Sequence, residues 1–239
     1  MGLEGLPIKR LENTKEFKLK NIKNYQQLFS DIPHLRSIVS FIENVDGKNI
    51  LDLGCGNGWA SMYFARSGAY VSSCDISSKC VDVVIKYAES NGLQEKIHAK
   101  VMNAEDLKFE DDYFDVVFIN EALHHCDIEK AGKEIYRVLK KNGKAVFIED
   151  LAYHPVFKIY RLFTKSKHTL HEKPLTYEDV NKISTIFGGC EIKHYQLLNI
   201  FSENKFTKVL QGVDDFLLGK FTKLNRYCRI IVMFVSKCK

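Results

Sequence analysis

Between Asp52 and Gly58 the chain reads Asp-Leu-Gly-Cys-Gly-Asn-Gly, a carboxylate followed by glycines at positions 54, 56 and 58. The apolar run before it, Asn49 to Leu53, reads as a strand. Trp59, Met62 and Tyr63 after it lie at helical spacing, so the unit is strand, glycine turn, helix. Glycines allow positive φ and a close backbone approach, and the start of the helix aims unpaired N–H groups and its positive dipole end into the turn. Such a unit suits a nucleoside ligand. Asp75 closes the next apolar run, where its carboxylate is placed to accept hydrogen bonds from the ribose hydroxyls. The glycines alone leave the ligand open: a dinucleotide fold wants Gly-x-Gly-x-x-Gly with an acid about 20 residues on, and here the third glycine comes early.

Proton chemistry points to a second set. Five of the eight histidines fall between 124 and 171, and imidazole titrates near neutrality. Asn120-Glu121-Ala122-Leu123-His124-His125 follows an apolar run; His124 is a candidate base, and His125 either contacts the reacting molecule or packs and caps a helix. His154, Arg161, His168, His171 and Glu172 are expected to converge on one pocket. There Arg161 would hold a phosphate or carboxylate bidentately, His168 would bind, and His154 and His171 would share the proton work. Their spacing matches no standard metal site, and no metal is expected.

The elements that position these groups alternate strand and helix over 49–53, 57–67, 69–74, 77–91, 97–102, 115–119, 127–140 and 144–149. Alternation of this kind implies right-handed crossovers and a parallel sheet, with ligands beyond the carboxyl ends of the strands. Asp52, Asp75, Asn103, Asn120 and Glu149 all fall there. Two later strands are expected near 190–198 and 228–236, with Arg229 to Ser236 the inner one. Tyr25, Leu28, Phe29 and Ile32 mark one amphipathic helix ahead of the core, and Pro33 opens another. Thr176 with Asp179 predicts a capping box. Around 209–224, apolar residues interleaved with lysines predict an amphipathic basic helix that packs on the sheet, lines a lipid-like channel or lies on a membrane surface.

The segment from Asp52 to Gly58 resembles the first motif of the class I S-adenosylmethionine-dependent methyltransferases, and further matches follow in the family's order over about residues 45 to 150. Asp75, with Ile76 beside it, stands where that family binds ribose. Asn103-Ala104-Glu105-Asp106 stands where it contacts adenine, and Phe114 to Asn120 is its fourth strand. The resemblance implies an α/β, Rossmann-like, doubly wound sheet of seven strands, mostly parallel with one antiparallel strand near the C-terminus. It implies S-adenosyl-L-methionine as cofactor, held by Asp52, Gly54, Cys55, Gly56, Gly58, Asp75, Ile76, Asn103, Ala104, Glu105, Asp106 and Asn120. Backbone N–H groups of the turn would suit the methionine carboxylate, and Asp52 its ammonium, directly or through water. Tyr25 would close over the site. Residues 1–47 would form a helical cap, 48–150 the cofactor core, and 151–239 a cover for the acceptor plus the last two strands. The later segment is more loosely similar to ubiquinone/menaquinone-biosynthesis and other small-molecule methyltransferases. The expected activity is methyl transfer to a small molecule by in-line displacement; the alternative is a catalytically silent fold that binds the cofactor and serves as a partner subunit.

Composition narrows the rest. With 239 residues, 45% of them hydrophobic, a single domain with a full core is expected. No apolar run approaches the roughly 18 residues that span a bilayer. Seven scattered cysteines without a Cys-x-x-Cys pair favour a reducing, cytoplasmic setting. Residues 1–150 carry 20 Lys and Arg against 23 Asp and Glu, whereas 151–239 carry 15 against 7. The basic part is therefore the part expected to cover the acceptor, which points to an anionic or lipid-like acceptor, or to peripheral membrane contact. No basic run interleaved with aromatics argues for nucleic acid.

Overall fold

A computed structural model describes residues 32–163, 173–198 and 205–238. Seven strands form one sheet: β1 (Asn49–Leu53), β2 (Tyr70–Asp75), β3 (Ile97–Val101), β4 (Phe114–Asn120), β5 (Leu139–Asp150), β6 (Glu191–Tyr195) and β7 (Ile230–Ser236). Their spatial order is β3-β2-β1-β4-β5-β7-β6, and only β7 runs antiparallel to its neighbours. The order in which successive strands are added reverses between β1 and β4, the place where a doubly wound sheet leaves a crevice at its carboxyl edge. This is the fold the sequence implied, with β7 as the inner member of the late pair.

Successive residues of the central strands are buried on both faces. Ile50, Phe118, Val146 and Val232 face one core, and Leu51, Val117, Phe147 and Ile231 the other. Alternation with period two sends neighbours to opposite sides, and apolar side chains at every position require helices over both. Helices α1 (Pro33–Ile42), α2 (Trp59–Arg66) and α3 (Ser78–Ser90) contribute to the first core; α4 (Ile128–Val138) and α6 (Tyr177–Phe187) contribute to the second. Helices α5 (Pro155–Phe163) and α7 (Lys205–Lys220) belong to the later segment. No helix among the described residues is long and apolar enough to cross a membrane. Thr176 and Asp179 form the expected capping box at the start of α6.

One boundary differs from the sequence reading. The helix expected to run to residue 140 ends at Val138, and β5 begins at Leu139, which pairs with Phe114 before the register jumps to Val116 opposite Lys144. The residues between bulge out, with Asn142 at φ 61°. Leu139 is wholly buried, so sheet pairing with its apolar contact displaces a last helical turn.

Candidate functional site

The glycine turn closes on β2. The Gly54 and Cys55 N–H groups both donate to the Cys74 carbonyl at 2.7 and 3.0 Å, and the Gly58 N–H donates to the Cys55 carbonyl at 2.8 Å. The Gly56 N–H donates to Asp75 Oδ2 at 2.9 Å. Three of these four donors are spent on β2 and one within the turn, which corrects the expectation of a ligand carboxylate for these four N–H groups. Each glycine has its own reason. A Cβ on Gly54 would lie 2.2 Å from the Ala122 Cβ, and one on Gly58 2.7 Å from a Val84 methyl. A Cβ on Gly56 would meet nothing within 4 Å, so the turn opens at that residue.

Asp75 clamps two turns together. Its Oδ2 takes the Gly56 N–H, and its Oδ1 takes the Ser77 N–H at 2.9 Å, just ahead of α3. Each oxygen keeps one further lone-pair site, so a carboxylate already fixed in place can still accept two hydroxyls. Ile76 beside it is 68% exposed and offers an apolar face next to the carboxylate.

Asp52 looks inward. It shares a strand face with Ile50, is 2% exposed, and accepts the Ser61 hydroxyl, which also meets Ser73 Oγ at 2.7 Å. The Ser61 N–H in the first turn of α2 faces the same carboxylate. Burial raises its pKa to about 7; the Ser61 hydrogen bonds oppose that shift, and the Asp75 charge adds to it. The carboxylate braces the turn from beneath, so of the two contacts with a ligand ammonium that the sequence allows, direct or through water, the direct one is corrected. Cys55 is likewise buried, and burial holds its thiol well above the ordinary range.

Past β3, Asn103 Oδ1 accepts the Glu105 N–H at 3.0 Å, and the Asn103 carbonyl accepts that of Asp106. Glu105 reaches away to the Asp127 N–H at 2.9 Å, and exposed Asp106 pairs with Lys108. Ala104 lies half-buried at this bend, and Asn120 half-buried at the end of β4. Both acids therefore serve local structure, leaving Asn103 as the polar residue at the edge of the bend.

At the end of β4 a single 3-10 turn, Leu123–His125, presents the histidine pair. His124 Nδ1 lies 2.7 Å from Glu149 Oε2, while Glu149 Oε1 accepts the Ala122 and Leu123 N–H groups at 3.0 and 2.7 Å. Glu149 is wholly buried. Nδ1–H donating to the carboxylate satisfies this geometry and fixes the imidazole ring. His125 is exposed, its ring 4.1 Å from that of His124. The sequence reading placed Glu149 at a strand end but gave it no role; the paired register of Asn120 with Ile148 is what brings it to the turn.

His154 is removed from the proton chemistry. It is 2% exposed, its Nε2 faces the Leu197 carbonyl at 3.1 Å, and its Nδ1 accepts the Phe157 N–H at 3.4 Å. Both nitrogens hold backbone, and the ring caps α5. Arg161 is half-buried on α5 and makes no ion pair among the described residues. Tyr25, His168 and His171 lie outside the described residues. A cation that the sequence marks only as the start of a strand, Arg229, lies at the same edge: its Nε is 3.3 Å from Asp150 Oδ1, as an ion pair misaligned for a hydrogen bond, and its guanidinium lies 4.5 Å over the Phe157 ring. His34 is held at a pKa of about 4, first by burial and then by Arg229. Among the described residues no group of His, Cys, Asp and Glu is placed to hold a metal.

Residues 51–147 match the family model described as a methyltransferase domain. Over this segment the chain is similar to methyltransferase domains. The chain is 34% identical over 124 residues to the ubiquinone/menaquinone biosynthesis C-methyltransferase UbiE of Vibrio parahaemolyticus, covering 49% of this chain and 48% of that protein. It thus spans about half the length of the curated relatives it matches. The solved structure of YcgJ from Bacillus subtilis has a TM-score of 0.61 at 20% identity, covering 85% of this chain and 97% of that one. Phosphoethanolamine N-methyltransferase 2 of Haemonchus contortus, bound to S-adenosyl-L-methionine, has a TM-score of 0.62 at 21% identity over 86% of this chain and 52% of that one. At these identities the two structures speak for the fold. The open space over Gly56, the remaining lone pairs of Asp75 and the exposed Ile76 fit a nucleoside cofactor of this kind.

Proposed function

We propose that this protein is a methyltransferase that moves the S-adenosylmethionine methyl group to a small-molecule acceptor. The observation that carries the reading is the Asp75 clamp at the carboxyl edge of the sheet: a carboxylate fixed by Gly56 and Ser77, with acceptor capacity left over beside an open glycine turn. Asp75 would take the ribose hydroxyls, Ile76 would cover the adenine, and Asn103 would meet its polar edge. When bound, the cofactor supplies an electrophilic methyl group. Asp52, through Ser61, keeps the turn and the start of α2 in place. His124 would take the acceptor proton at Nε2 while Glu149 holds Nδ1, so that the imidazole keeps its orientation through the transfer. A similar role for the C-methyltransferases among the relatives makes a quinone-like acceptor one member of the proposed class.

The test is a calorimetric titration of S-adenosylmethionine, followed by transfer of labelled methyl into cell extract split into organic and aqueous phases. Asp75→Ala should weaken cofactor binding by ~1–3 kcal/mol through lost charge-assisted hydrogen bonds. Unchanged affinity in a folded variant would remove Asp75 from the cofactor site. Cofactor binding without labelled product in either phase would favour a silent fold over the enzyme.

A further inference from the structure

A cavity of about 490 Å³ lies between the start of α6 and the segment that leads into β7. Tyr177 lines one side, and Thr222, Lys223, Asn225, Arg226 and Tyr227 line the other. Its location matters: Ile230 at the start of β7 pairs with Asp150 at the end of β5, so the segment before β7 lies on the same edge as the glycine turn and His124.

Charge and shape agree on the ligand. Arg226 lies 5.6 Å from the Tyr153 ring and 5.4 Å from the Tyr227 ring, and Lys158 lies 5.7 Å over Tyr153 from the other chain segment. Tyr153 and Tyr177 stack at 5.6 Å with their planes 20° apart. The Tyr177 hydroxyl is spent on His194 Nε2 at 3.0 Å, so the tyrosine pair is a fixed wall. Among the described residues Lys158, Lys223 and Arg226 have no carboxylate within ion-pair distance, although on neighbouring elements exposed Lys182 has two and exposed Lys193 one. Asn225 Oδ1 is buried with no hydrogen-bond partner. Uncompensated cations beside an aromatic wall attract an anion attached to an apolar body.

We propose that this cavity is the subsite for the anionic group, phosphate or carboxylate, of the acceptor. The proposal rests on the methyltransferase reading of the carboxyl edge, and the tests of the two separate. Phenyl phosphate is the probe, titrated into the full chain by calorimetry, with phenol as the uncharged control. The wild type should bind phenyl phosphate saturably, more weakly as salt rises, and phenol far less. Lys223→Gln with Arg226→Gln should weaken phenyl phosphate by about tenfold or more through lost charged hydrogen bonds, with S-adenosylmethionine affinity and melting temperature unchanged. The same probe should inhibit labelled methyl transfer in extract. Displacement of the probe by phosphatidylglycerol vesicles would assign the anion to a lipid headgroup, and no displacement to a soluble acceptor; both support the site. Absence of saturable binding, equal binding by the double variant, or binding without inhibition of transfer would overturn the proposal. Failure of S-adenosylmethionine to bind the wild type would instead overturn the functional reading.

Discussion

The three glycines of the turn should fail in different ways when each is replaced by alanine. All three have positive φ, at 72°, 51° and 78° for Gly54, Gly56 and Gly58, which costs an L residue about 1–2 kcal/mol. Gly56→Ala bears little more than that, because its new methyl meets no atom within 4 Å. Gly58→Ala puts a methyl 2.7 Å from Val84, which is wholly buried on α3, and overpacking of that kind adds about 1–3 kcal/mol. The total for Gly58→Ala is roughly 2–5 kcal/mol, and Gly54→Ala, facing Ala122 at 2.2 Å, should be at least as severe. For a domain of this size about 2–4 °C of Tm accompanies each kcal/mol, so Gly56→Ala should lose a few degrees and the other two clearly more. Cofactor affinity should rank the other way. The Gly56 methyl enters the space over the turn, and S-adenosylmethionine should bind at least about tenfold more weakly, a loss of ~1.4 kcal/mol or more. Urea unfolding and calorimetry on the same samples decide the matter. Gly56→Ala binding as the wild type would mean that the cofactor does not pass over this residue, and equal stability of Gly56→Ala and Gly58→Ala would refute the packing argument.

Three further outcomes follow from the buried polar groups. Glu149→Gln leaves all three donors without a charged acceptor and sets an NH2 group against one side of them; it should cost about 2 kcal/mol in urea and displace the pH–rate profile of methyl transfer, and an unchanged profile would separate Glu149 from His124. His154→Ala should lose about 1–2 kcal/mol of stability with turnover per folded molecule intact, and a collapse of turnover at full stability would return the residue to the mechanism. Asp52 has a folded pKa raised to about 7 from 3.8, so its contribution is full below pH 4 and is lost as pH rises through 7. Asp52→Asn should therefore gain on the wild type between pH 4 and 7, by on the order of 4 kcal/mol across the window, and level off above it; parallel stability curves would show that Asp52 ionises normally.

The strands were readable because sheets covered on both faces leave continuous apolar runs, as in Val116 to Ile119 and Ile230 to Val235. The capping box of Thr176 and Asp179 was readable because it is closed within four residues. What sequence order hides is who satisfies whom. The turn N–H groups looked available until β2 placed the Cys74 carbonyl beneath two of them. Asp52 and Leu53 are neighbours, yet strand parity sends the acid to the Ser61 side of the sheet and its neighbour into the other core. Glu149 gained its partner from the β4–β5 register, and His154 lost its catalytic reading to two backbone groups, one of them Leu197, far along the chain.

The reversed direction of β7 does the most to connect the two halves of the charge pattern. A parallel last strand would have begun at the amino edge and left Arg226 and Arg229 on the side away from the glycine turn. Running antiparallel between β5 and β6, β7 begins at Ile230 opposite Asp150, so the cationic segment before it joins the carboxyl edge where the acidic half supplies Asp75 and Glu149. Arg229 then meets Asp150, whereas Lys223 and Arg226 a few residues earlier meet no acid among the described residues. One short segment thus holds an arginine spent on structure next to cations with charge to offer. Its place follows from the topology of the sheet, and the separation of Asp150 from Arg229 in the sequence gives no sign of it.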